Sequence, residues 1–172
     1  MGKLTGLRIL AFGLDYLLIL FYAIVLFGLT SLFDVGALSP TEGQFVGFLT
    51  LTLPVFLYFY LMENSSKAAT LGKRVMNISV HVKREKRGQY IFIRNFLKFL
   101  PWEMAHVGVH WIVYYSALDQ SPPAWVWIAL ILPQVVVFGY LVSIVLYKGE
   151  SSIYDKLAHT RIELNQKAES LK

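Results

Sequence analysis

Residues Ile9–Phe33 read ILAFGLDYLLILFYAIVLFGLTSLF and hold a single charged side chain, Asp15. This block is longer than the roughly 20 apolar residues that cross a hydrocarbon core of about 30 Å. It is too long for the apolar core of a signal peptide, and no small-residue cleavage site follows it, so we expect it to be retained. Inside a bilayer a helix pairs all of its own backbone groups. The block therefore predicts a transmembrane helix.

Three further apolar blocks of similar length follow, at Gln44–Met62, Phe96–Tyr115 and Trp125–Tyr147. Of the 172 residues 56% are apolar and only 16% are charged, whereas about a quarter are charged in a soluble domain. The predicted fold class is therefore an all-α membrane protein, a single domain built as a bundle of four transmembrane helices. A long linker at 63–95 and a tail at 148–172 lie outside the blocks.

The basic residues predict the orientation of the bundle. All 16 Lys and Arg residues lie at the N-terminus, in the long linker with the start of the third block, or in the tail. The short linkers 34–43 and 116–124 hold none. Four spans put the three basic regions on one side, and the positive-inside bias makes that side cytoplasmic. We expect a multi-pass protein of a bacterial cell membrane, with both termini in the cytoplasm and anionic lipid headgroups, rather than nucleic acid, as partners.

The long linker predicts three short elements. Within Ser66–Met76, apolar and basic residues separate at helical spacing, which indicates a short amphipathic helix at the membrane interface. Residues Ile78–Val82 alternate strictly and predict a strand. A hairpin with Tyr90–Phe92 is predicted through the charged turn between them. The tail segment Thr160–Leu164 alternates too and could pair with the same strand in a small cytoplasmic sheet.

Asp15 is the one acid inside the first block. An ionised acid at the centre of a membrane helix costs about 2.5–3.5 kcal/mol, so Asp15 should face the bundle interior. Arg8 lies seven residues earlier, on the same helical face. Two interpretations stay open: Asp15 binds a proton or an ion, or the two charges only fix the helix.

The third block carries a second polar face formed by Glu103, His106 and His110, at helical offsets of three and seven. A proton relay through an acid and two imidazoles is the favoured interpretation. A hydrogen-bonded polar seam and a metal site are the alternatives. Because the chain holds no second Glu-x-x-His turn, we expect no metal and no cofactor.

Three short motifs resemble the RDD family of membrane proteins, which is named for one arginine and two aspartates. Arg8 and Asp15 match the charged pair of the first span. The stretch Thr70-Leu71-Gly72-Lys73-Arg74 matches the motif that follows the second span. Asp155, shortly before Thr160-Arg161-Ile162, matches the final aspartate. The sequence departs from the family pattern at Asn77, where many members have glycine.

The resemblance implies the four-span fold and the movement of small ligands, since some members resemble monovalent-cation/proton antiporters. We therefore predict a small-ion or small-solute transporter and no enzyme activity. Asp15 is expected to bind a monovalent cation or a proton, Glu103, His106 and His110 to pass protons, and Arg8 and Asp155 to form a gate pair. Because four spans enclose little volume, a homo-oligomer is expected. The alternative is an accessory or scaffold protein whose basic face binds anionic lipid or a partner protein.

Overall fold

The computed structural model describes residues 2–32, 38–82 and 85–165. It is mostly helical, with one two-stranded sheet. The helices are α1 (Lys3–Thr30), α2 (Pro40–Gly47), a π-helical turn (Phe48–Thr52), α3 (Leu53–Asn64), α4 (Leu71–Val75), α5 (Arg87–Ala117), α6 (Ala124–Leu146) and α7 (Ile153–Leu157). The strands are β1 (Ile78–Val82) and β2 (Thr160–Leu164).

Three helical segments of the described chain are long and apolar enough to cross a membrane: α1, the continuous run Pro40–Asn64, and α6. They correspond to the first, second and fourth predicted blocks. The third predicted block lies within α5, a helix of 31 residues that is not one of these three. Lys98, Glu103 and two histidines lower the hydropathy of α5. The predicted count of four spans is therefore not confirmed.

The second span is one helical run with a local irregularity. It begins at Pro40, where the Ser39 side chain and the Glu42 carboxylate form a reciprocal capping box. The π-helical turn lies just before Pro54, which has no N–H to donate to the carbonyl of Thr50 four residues earlier. The Tyr22 hydroxyl of α1 donates to that carbonyl instead. The irregularity thus ties α1 to the second span.

The sheet pairs β1 with β2 in antiparallel register, with Val80 opposite Ile162. The predicted pairing of the tail with the first strand is confirmed. The predicted hairpin with Tyr90–Phe92 is wrong, because these residues form the first turns of α5. Ile91 is buried together with Arg94 and Asn95, at the offsets of three and four that mark a helical face. A run of three apolar residues after a charged turn was too short to distinguish this helical face from a strand.

Helix α4 is shorter than predicted and has an unexpected orientation. Only Leu71–Val75 of the predicted Ser66–Met76 segment is helical, and the Thr70 side chain caps it by accepting a hydrogen bond from the Lys73 N–H. Leu71 and Val75 are 46% and 64% exposed, whereas Gly72 and Lys73 are buried. The Lys73 side chain therefore points inward, toward the buried carboxylate of Glu63.

The hydrophobic core lies at one end of the helices, where the sheet, α4, α7 and the starts of α1 and α5 meet. The buried apolar residues that form it are Ala11, Ile78, Val80, Ile91 and Ile162. All buried residues of α1 precede position 16. Beyond it α1 is largely exposed, with Phe21 and Phe27 at 66% and 67%. With 28 residues, or roughly 42 Å, α1 is long enough to join this core and still cross a bilayer.

Candidate functional site

The core end of the helices also holds a set of buried charges, which we call the charged network: Arg8, Glu63, Lys73, Arg94 and Asp155. All five are at most 6% exposed. Ion pairs join them in the order Arg8, Asp155, Arg94, Glu63, Lys73. The network therefore connects α1, the end of α3, α4, α5 and α7, which are far apart in sequence.

Arg8 binds three groups from the tail. Its guanidinium pairs with the Asp155 carboxylate, donates to the Tyr154 hydroxyl at 2.9 Å and donates to the Gly149 carbonyl at 3.0 Å. Gly149 has a φ of +87°, and a Cβ at this position would collide with the backbone of Thr5. This close approach lets the guanidinium reach the tail backbone directly.

Asp155 is held in place by its own helix cap. Its carboxylate accepts hydrogen bonds from the N–H and the hydroxyl of Ser152, both at 2.9 Å, and from the Thr160 hydroxyl at 3.1 Å. Burial by itself raises the pKa of this carboxyl, but the guanidinium groups of Arg94 and Arg8 outweigh it and hold the pKa below its usual value. Asp155 therefore remains ionised and anchors the tail to two helices.

Glu63 is the central acid of the network and is 0% exposed. Its carboxylate pairs with Arg94, accepts from the Lys73 ammonium at 2.7 Å and accepts from the Asn95 amide at 3.0 Å. Arg94 also donates to Asp155 at 2.7 Å and thus bridges two acids. Two cations offset the large desolvation cost of a buried carboxylate.

Asp15 lies beside the network and accepts hydrogen bonds from three donors. The Thr70 hydroxyl donates at 2.6 Å, the Tyr58 hydroxyl at 2.8 Å and the Gly72 N–H at 2.9 Å. A Cβ at Gly72 would collide with the Ala11 carbonyl oxygen, so this approach requires glycine. The carboxylate therefore binds the start of α4 to the side of α1.

A second polar group lies between α2 and α5, and we call it the distal polar group: Gln44, Trp102, Glu103, His106 and His110. The Gln44 amide donates to one Glu103 oxygen, and the other Glu103 oxygen lies 4.0 Å from His106 Nδ1. The His110 ring packs against Gly43, where a Cβ would lie 3.0 Å from Nδ1.

Four buried atoms of the distal polar group have no hydrogen-bond partner among the described residues: Gln44 Oε1, Trp102 Nε1, Glu103 Oε2 and His106 Nδ1. Buried polar atoms are nearly always paired in folded proteins. The distal polar group can therefore form further hydrogen bonds through these four atoms.

The predicted site residues fall into two separate places. Arg8 and Asp155 form an ion pair, and Thr70, Gly72 and Lys73 join Asp15 and the charged network. Arg74 does not, since its guanidinium donates to the Ala69 carbonyl at 2.9 Å. No hydrogen bond or ion pair within the described ranges joins Asp15 to Glu103, so the predicted cation site and proton relay are not continuous.

Four members of the two groups were not found from the sequence: Trp102, Glu63, Arg94 and Gln44. The last three lie at the edge of an apolar block, where charged and polar residues ordinarily face water or headgroups. The spacing of Arg94 and Ile91 on one helical face was the available signal, but it was obscured by the predicted hairpin.

Two other observations concern possible ligand sites. An apolar groove of about 250 Å³ between α1 and α3 is lined by Leu18, Ile19, Tyr22, Pro54, Val55 and Tyr58. In the part of the chain that the structure describes, no three His, Cys, Asp or Glu side chains form a group that could hold a metal ion.

Comparison with known proteins gives one match. The model of a family described as the RDD family matches residues 4–159, a range that includes the charged network and the distal polar group. No curated protein and no solved structure matches the chain.

Proposed function

This chain belongs to the RDD family, and on that premise we propose that it is a small-ion transporter in which Glu103 exchanges a proton for a monovalent cation. The apolar helices of the chain and the family identify a membrane protein. The observation that carries the proposal is the set of unpaired buried atoms around Glu103. Ionisable groups inside membrane helices are by default candidate functional sites, among them ion and proton pathways.

The unpaired atoms suit a small cation or a proton carried on water. Gln44 Oε1 and Glu103 Oε2 are oxygen acceptors, which hard cations prefer. A neutral His106 offers a ring nitrogen that accepts or releases a proton. The ionised Glu103 carboxylate attracts the cation, and protonation of Glu103 releases the cation. His106, whose Nδ1 lies 4.0 Å from the carboxylate, is the proposed proton partner.

The charged network and the neighbouring Asp15 have a structural role in this proposal. Asp15 accepts three hydrogen bonds from the protein, so it fixes α1 and α4 rather than presenting a free carboxylate to an ion. The ion pair of Arg8 and Asp155 closes the same end, and it is the proposed gate contact between α1 and the tail.

The arrangement in the membrane is also part of the proposal. Helix α5 is the third of four spans, and the charged network lies at the cytoplasmic end together with both termini. The apolar second half of α1, exposed in a single chain, lies against lipid or against a second copy in a homo-oligomer. The groove between α1 and α3 has apolar walls, so the ion path runs by α2 and α5 instead.

Exchange in proteoliposomes tests the proposal. An outward sodium or potassium gradient should drive a pH change inside vesicles that hold the wild-type chain. We expect Glu103→Gln to abolish this change, and Glu163→Gln, at a partly exposed position of β2, to leave it intact. Asp15→Asn should lower the amount of folded protein more than the exchange rate per folded molecule. Full exchange by Glu103→Gln would reject the proposed role of Glu103.

A second candidate is an accessory protein whose basic face binds an acidic partner protein. Lys67, Lys86 and Arg161 are exposed at the end that carries the charged network, which favours it. Lys83 and Arg84, part of the predicted basic face, lie outside the described residues, and Arg87 donates to the Glu63 carbonyl at 2.6 Å. Cross-linking in native membranes tests this candidate: a partner captured by the wild type should be lost after Lys67→Glu with Lys86→Glu.

A further inference from the structure

The geometry points to a binding site for the phosphate group of an anionic phospholipid at the end of α6. A pocket of about 290 Å³ opens there, and its lining residues are Leu146, Tyr147, Lys148, Glu150, Ser151 and Lys156. This volume is close to the lower limit for small-ligand sites, at about 300 Å³, so the pocket suits a headgroup but not acyl chains. The inference does not depend on the proposed transport function.

The pocket offers two ammonium groups, those of Lys148 and Lys156. Neither Lys148 nor Lys156 forms an ion pair with another described residue, and both are exposed. Lys156 Nζ lies 3.4 Å from the centre of the Tyr147 ring, a cation–π contact that holds the ammonium beside the pocket. With Glu150 as the one acid of the lining, two positive charges and one negative charge leave a net +1. That balance suits a singly charged phosphodiester.

The backbone around the pocket is fixed rather than flexible. Lys148 and Gly149 have φ angles of +51° and +87°, and the Gly149 N–H donates to the Ile144 carbonyl at 2.8 Å, which ends α6. The Gly149 carbonyl accepts from Arg8 at 3.0 Å. Since the turn that carries Lys148 is tied to α1, the site is formed before a ligand binds.

The location selects a lipid as the source of the phosphate. The pocket directly follows α6, one of the candidate spans, and Leu146 at its edge is 71% exposed. Tyr147 occupies the position at the end of a span where amphipathic aromatic residues meet headgroups. A lipid bound by its phosphate at Lys148 would lay its acyl chains along the apolar surface of α6, whereas a soluble phosphate would make no use of that surface.

Thermal unfolding in a neutral detergent tests the inference, with titration of phosphatidylglycerol, phosphatidylcholine or inorganic phosphate. Phosphatidylglycerol should raise the Tm of the wild type, and Lys148→Gln with Lys156→Gln should weaken its apparent affinity roughly 30-fold. The comparison variant, Lys67→Gln with Lys86→Gln, removes the same charge from the basic face of the second candidate function and should weaken the affinity less than the pocket variant does. Tyr147→Leu keeps both charges and should give an intermediate affinity.

Three results would each overturn the inference. Equal weakening in the two double variants would show a non-specific surface charge effect. Equal stabilisation by inorganic phosphate would show a site for soluble anions rather than lipid. Wild-type affinity in Lys148→Gln with Lys156→Gln would show that the phosphate does not bind at these two ammonium groups.

Discussion

Replacing Glu63 by glutamine removes the central acid of the charged network while keeping its shape. The carboxylate is fully buried and binds Arg94, Lys73 and Asn95. Removing one partner of a buried ion pair costs about 3–5 kcal/mol, because the remaining charge stays buried without compensation. Arg94 keeps Asp155 at 2.7 Å, so only one of the two cations, Lys73, loses its acid partner among the described residues. Lys73 still has the Thr70 hydroxyl at 3.4 Å and the Phe59 ring at 5.7 Å. Because one of the two cations keeps an acid, we expect the lower part of that range, about 3 kcal/mol.

That free energy corresponds to a fall in Tm of roughly 6–12 °C for a chain of this size, measured by thermal unfolding of the purified protein in detergent. The control is Glu163→Gln in β2, which breaks an exposed pair with Arg161 and should cost less than about 1 kcal/mol. Adding Lys73→Met to Glu63→Gln removes the stranded cation, so part of the lost stability should return. Equal Tm values for the two single variants would refute the idea that the network stabilises the fold.

Three further changes test other parts of the structure by thermal unfolding. Gly72→Ala should destabilise by about 1–3 kcal/mol, because its Cβ would collide with the α1 backbone. The control Gly139→Ala has open space around it and should be neutral or slightly stabilising. Equal effects of the two variants would contradict the close packing of Gly72 against α1. Tyr58→Phe loses a hydrogen bond to a buried acid and should cost about 1–3 kcal/mol; an unchanged Tm would contradict this. Because the folded-state pKa of Asp155 is below its usual value, its contribution is present above about pH 4 and is lost as pH falls through the lowered pKa. As the pH is lowered, the Tm of the wild type should therefore fall more steeply than that of Asp155→Asn. The same dependence of Tm on pH in both proteins would contradict this prediction.

The sequence predicted the elements that depend on local patterns. Long apolar blocks identified α1, the second span and α6, since hydropathy alone determines them. The alternation of Ile78–Val82 and Thr160–Leu164 was enough to predict a pairing across more than 70 residues. Tyr90–Phe92 was assigned wrongly, because helical and strand periods differ little over three residues and the buried face became visible only with Arg94 and Asn95.

Site residues that belong to a sequence motif or a helical pattern could be predicted. Site residues that become recognisable only because packing buries them could not. Asp15 was identified as the one acid in the first apolar block, Arg8, Glu103 and His106 from helical spacing, and Asp155 from the family resemblance. Glu63 was missed because its partners Lys73 and Arg94 come from two other elements. A charge at the end of an apolar block looks interfacial in sequence, and only the packing of α4 and α5 shows that it is buried.

Cation-driven pH change in proteoliposomes, with wild-type chain and Glu103→Gln reconstituted in equal amounts, tests cation/proton exchange by this chain. We expect an internal pH change with the wild type, greater than that of protein-free vesicles, and none above that background with the variant. A wild-type signal equal to that of empty vesicles for sodium and for potassium would contradict transport of monovalent cations by this chain.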